Sequence, residues 1–89
     1  SNVNDDTSNL KDGFKISGNE FKDISSLSNF VLRASGNRGE FQNKPFVFQT
    51  DAGPVSGDQA IELLVRKILT TLDEDQQEQF LKQIGYNKE

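Results

Sequence analysis

The segment 45–72, PFVFQTDAGPVSGDQAIELLVRKILTTL, decides how the chain folds, because its apolar residues change period halfway along it. Over 45–50, Phe46 and Phe48 alternate with Val47 and Gln49, the two-residue period of a strand with one face covered. Pro45 has no amide hydrogen, so it belongs at the strand's start or on an edge. From Ile61 onward the pattern is helical: Ile61, Leu64, Val65, Ile68, Leu69 and Leu72 fall on one stripe. Between the two lies GPVSGD (53–58), between strand and helix, where phosphate-binding loops occur. A P-loop needs a lysine and a hydroxyl after its last glycine, and here Asp58 follows Gly57, a carboxylate that repels phosphate. The residues predict a turn instead, with Ser56 as helix N-cap, Gln59 completing a capping box, and Val55 and Ala60 as a hydrophobic staple.

Downstream, Thr71 and Glu74 predict a second capping box and a second helix. Asp73, Glu74 and Asp75 occupy its first turn, where the helix dipole favours negative charge. Phe80, Leu81 and Ile84 form its apolar stripe, and Gly85 is its left-handed stop, with Tyr86 placed to pack back on Leu81. Upstream, FKISGNEFK (14–22) predicts a hairpin turning on Gly18-Asn19, with Ile16 facing Phe21. ISSLS (24–28) suits a connector or a short helical turn. NFVLRAS (29–35) alternates Phe30, Leu32 and Ala34 with Val31, Arg33 and Ser35, a further strand. GNRGEFQNK (36–44) is a long turn. Residues 1–13 hold only Val3 and Leu10 as aliphatics and suit a disordered tail or linker. The expectation is a single α+β domain over 14–89, in which a small antiparallel sheet of three or four strands precedes two C-terminal helices packed on one face.

Composition narrows the chemistry. The 89 residues include no cysteine and no histidine. Disulfides, thiolate zinc sites, cysteine nucleophiles, histidine bases and serine–histidine triads are thereby excluded. A chain this short rarely builds a deep cleft, so the expectation is a protein that is not an enzyme and takes no cofactor or metal. The net charge of −4 lies in the C-terminal part: residues 1–50 carry six acids and six bases, whereas 51–89 carry eight acids and four bases. That balance opposes nonspecific binding to polyanions. No apolar run reaches membrane-spanning length, so no membrane association is expected. Without methionine, the chain reads as a trimmed protein or one domain of a longer one. Its lack of thiols leaves the compartment open, with the cytoplasm as the first expectation.

The candidate sites are few. DEDQQE (73–78) fails as a calcium loop, since the sixth and twelfth positions are Glu78 and Ile84 rather than glycine and glutamate. Asp51, Asp58 and Glu62 stand near a strand end and helix start, where acids cap and solvate. RASGNRGEFQNK (33–44) offers Arg33, Arg38 and Lys44 against Glu40, with Phe41 as a ring on which a base could stack. Those are the ingredients of a weak single-stranded nucleic-acid binder. Three aliphatics sit off the expected core: Val31 and Val47 on the outer sheet face, and Leu63 opposite the helical stripe. Together they suggest a contact surface for a protein partner or for self-association. The leading expectation is therefore an adaptor, inhibitor or regulatory subunit acting by protein–protein contact, with weak single-stranded nucleic-acid binding through 33–44 as the alternative.

Overall fold

The stretch 24–36 organises the molecule. In the computed structural model, which describes residues 8–11 and 14–85, Ile24–Gly36 is an α-helix (α1). The strand expected over 29–35 is thereby corrected. A seven-residue window beginning at Asn29 fits a period of two, but a window beginning at Ile24 fits the helical period better. Ile24, Leu27, Ser28, Val31 and Ala34 all turn inward. Ser28 stands in an apolar stripe and hides it. Asp23 starts the helix by accepting a hydrogen bond from the Ser26 backbone N–H at 2.8 Å, an N-cap whose bond holds the Asp23 carboxyl below its ordinary range. Asn37 ends it in the left-handed conformation, φ 56° and ψ 48°.

The remaining elements follow in chain order. Lys15–Ile16 (β1) and Asn19–Glu20 (β2) form one short antiparallel hairpin before α1. A 3-10 turn, Gly39–Phe41, follows α1. Val47–Thr50 (β3) and Gly53–Ser56 (β4) form a second hairpin, and the helices Asp58–Thr71 (α2) and Glu74–Gln83 (α3) close the chain. The architecture is α+β, with two separate two-stranded antiparallel sheets and three helices among the described residues. A continuous sheet was expected. Once 29–35 is helical, no strand connects the hairpins.

Three local readings shift with it. The first hairpin turns on Ser17-Gly18, both at positive φ (53° and 79°), so Ile16 pairs with Asn19, and the Phe21 N–H donates to the Phe14 carbonyl at 2.9 Å. A turn with positive φ at both central residues puts glycine second, as here, rather than first. Ser56 does not cap α2, because it is engaged in β4 opposite Val47. The cap is Gly57, at φ 75° and ψ −153°, a conformation open essentially to glycine alone. The second capping box is built by Asp73 and Gln76, each side chain bonding the other's backbone N–H, while the Thr71 hydroxyl stays in α2 and donates to the Lys67 carbonyl.

The core lies where α1 packs against α2 and α3, with β3–β4 leaning on α2. Ile24, Leu27, Leu64, Ile68 and Phe80 are fully buried in it. Phe30 anchors the other end, its ring centroid 5.2 Å from Phe21, 5.4 Å from Phe41 and 6.0 Å from Phe46. Such tilted and edge-on pairs add to burial through the ring quadrupoles. Within the polar segment 1–13, Leu10 is 9% exposed and joins this core. Its N–H donates to the Lys22 carbonyl at 2.8 Å, and the Gln76 side chain donates to the Asn9 carbonyl at 3.1 Å. Gln77 ties α3 to the end of α2 by donating to the Leu69 and Leu72 carbonyls. Gly85 takes the expected left-handed stop at φ 80°, whereas Tyr86 lies outside the described residues.

Candidate interaction groove

The strand period of 46–49 sends Phe46 and Phe48 toward the helices and leaves Val47 and Gln49 exposed. The turn of the first hairpin stands across from this strand. Between them runs an open groove of about 820 Å³. One wall is Lys15–Asn19 and the other is Lys44–Gln49. Phe30, Phe41, Phe46 and Phe48 line it, and Lys67 reaches it from α2. Phe41 lies 5.8 Å from Phe46, and Phe46 lies 6.5 Å from Phe48, so the lining is one connected ring cluster.

The groove is electropositive in an acidic chain. Lys15, Lys44 and Lys67 are exposed and have no ion-pair partner among the described residues. The one carboxylate in the lining, Glu40, is held by Arg33, whose Nε donates to it at 3.0 Å. That charge-assisted bond holds the Glu40 carboxyl below its ordinary range. At neutral pH the pair adds no net charge, so the three lysines dominate.

The three aliphatics read from sequence as a contact surface do not meet. Val47 is 42% exposed and lines the groove. Val31 is 3% exposed, in the core of α1, because the helix turns it inward and turns Leu32 outward at 40%. Its placement on an outer sheet face is corrected. Leu63 is half-buried on α2 and lines no part of this groove. The basic loop is likewise divided. Arg33 is bound to Glu40, Phe41 is half-buried in the ring cluster, and Arg38 and Lys44 face water. Lys15 and Lys67 join Lys44 only through the tertiary fold, and no spacing in the sequence could have gathered them.

A second, more apolar groove of about 530 Å³ runs between α2 and α3, lined by Val65, Leu69, Leu81 and Ile84 beside the Arg66–Glu62 pair. Among the described residues no three acidic side chains converge as metal ligands would, and no helix is long and apolar enough to cross a membrane. The chain matches no protein-family model, no curated protein and no solved structure.

Proposed function

We propose that the protein is a non-enzymatic interaction module that binds another protein through the groove beside β3, acting stoichiometrically and without a cofactor. The observation that carries this reading is the open groove itself. It combines half-buried phenylalanines, an exposed valine and three lysines without ion partners among the described residues. An apolar centre with a charged rim is the usual anatomy of a transient protein interface. Catalysis would need a positioned base or nucleophile, and a chain without histidine or cysteine offers only carboxylates, lysines, hydroxyls and one tyrosine.

Nucleic-acid binding through 33–44 is the weaker reading. Arg33 already serves Glu40 and Phe41 packs among other rings, so two of the four residues expected to bind are engaged inside the fold. The test compares the parent with Val47→Asp in affinity capture from extract with and without nuclease treatment. An aspartate at this exposed position is solvated in the free domain but costly inside an interface. The variant is expected to melt within about 2–4 °C of the parent, as surface changes do, and to lose proteins that the parent retains. Capture that disappears with nuclease alone would transfer the assignment to nucleic acid. Capture that is the same for both proteins would remove the groove from the interaction.

A further inference from the structure

We infer that the groove takes an acidic extended peptide as an added strand along the free edge of β3. This rests on the protein-binding reading and specifies its mode and partner chemistry. The Asp51-Ala52 turn makes Thr50 and Gly53 the first pair of the β3–β4 ladder, followed by Gln49–Pro54, Phe48–Val55 and Val47–Ser56. In an antiparallel ladder, residues that exchange hydrogen bonds alternate with residues that do not. Pro54 has no N–H, so Gln49–Pro54 is a non-bonded pair, and Val47–Ser56, two residues away, is another. Val47 and Gln49 therefore direct their N–H and C=O groups away from β4. On that side β3 pairs with no other strand among the described residues. Both residues line the groove.

An unpaired edge is a template for a further strand, and natural edges are usually blocked by charge, proline or a bulge. Here Lys44 and Pro45 guard only the approach to β3, while Val47 and Gln49 are neutral. A strand laid against them would alternate its side chains, one set over the phenylalanines and the other away from them. The rim fixes the sign. Lys15, Lys44 and Lys67 face the groove, and Glu40, its one carboxylate, is neutralised by Arg33. The complementary occupant alternates apolar and acidic residues.

The probe is a fluorescein-labelled octapeptide alternating valine and glutamate, followed by anisotropy on the full chain at low and at physiological salt. Saturable binding is expected, weakened several-fold by salt. It should be absent for the peptide with lysine in place of glutamate. Two further peptides carry N-methyl groups on one or the other alternate set of amides. One set should lose at least about tenfold in affinity and the other should bind like the parent, because only one edge of an added strand faces β3. Lys44→Glu and Lys67→Glu should each weaken binding about fivefold or more while leaving the melting temperature unchanged. Equal binding of both methylated peptides would overturn strand addition, and equal binding of the lysine peptide would overturn the charge assignment. Displacement by an oligothymidylate, self-association of the chain through this edge, or no saturation by any peptide at about 1 mM, the weak end of specific affinity, would each overturn the inference. In that last case the Val47→Asp capture experiment still judges the broader reading separately.

Discussion

Val31→Ala and Leu32→Ala together test whether 24–36 is helical, since the two geometries assign opposite roles to neighbouring residues. On α1, Val31 is 3% exposed and Leu32 is 40% exposed. On a strand with Phe30 inward, Leu32 would be buried and Val31 would face water. Truncating a buried valine removes two methyl groups and leaves a small cavity, a loss of about 1.5–3 kcal/mol. Leu32→Ala removes a partly solvated side chain, and alanine is the stronger helix former, so its cost should stay within about 0.5 kcal/mol. For a domain of this size each kcal/mol moves the melting temperature by about 4–8 °C. Val31→Ala should therefore melt roughly 10 °C below the parent, while Leu32→Ala stays within a few degrees of it. Thermal and urea unfolding followed by far-ultraviolet circular dichroism measure both, and an unchanged urea slope would show that the denatured state is not the cause. A larger loss for Leu32→Ala than for Val31→Ala would refute the helix.

Three further outcomes are expected from the same unfolding assays. Gly57→Ala should cost about 1–3 kcal/mol, because φ 75° with ψ −153° excludes a side chain, whereas Ser56→Ala should be nearly neutral; a reversed order would restore Ser56 as the cap of α2. The Ser28 hydroxyl is buried without a hydrogen-bond partner among the described residues, so Ser28→Ala should stabilise by about 1 kcal/mol, and destabilisation would reveal a bond the hydroxyl makes. Asp23→Ala should cost about 1 kcal/mol near neutral pH through loss of the cap, and Asp23→Asn should cost little there and, having no proton to gain, keep its cap on acidification. The folded-state pKa of Asp23 is lowered by its bond from Ser26, so its contribution is complete above the ordinary carboxylate range and disappears as the pH falls through the lowered value. The gap between parent and Asp23→Ala should therefore close on acidification, and a gap that widened instead would remove the carboxylate from the cap.

How much of this fold the sequence disclosed depends on how many residues each signal spans. The α2 stripe runs from Ile61 to Leu72, over three turns, and no other period accommodates it. The alternation in Phe46–Gln49 survived because its inward positions are phenylalanines and the hairpin beside it is real. Over 29–35 the window was too short to separate the two periods, and the polar Ser28 broke the stripe that would have extended it back to Ile24. Ser56 and Thr71 fail to start helices for one reason. Serine and threonine are good caps wherever a helix begins, but the tertiary fold decides the starting residue. Ser56 was already committed to β4, and Thr71 was already the last residue of α2.

The candidate site was less legible than the fold for a related reason. Of its parts, the sequence exposed Val47 and Lys44, whose local patterns place them at the surface. The other two lysines come from the first hairpin and from the middle of α2, and the aromatic lining draws Phe30 from a segment read as a strand. A groove made by packing a hairpin, a loop and a helix leaves no periodic signature, since each contributing side chain satisfies a different local rule. What the sequence does carry is Pro54. By withholding an N–H opposite Gln49 it fixes which residues of β3 bond to β4 and leaves Val47 and Gln49 facing away. The backbone groups available to a partner are thus set by one proline in the strand on the other side of the hairpin.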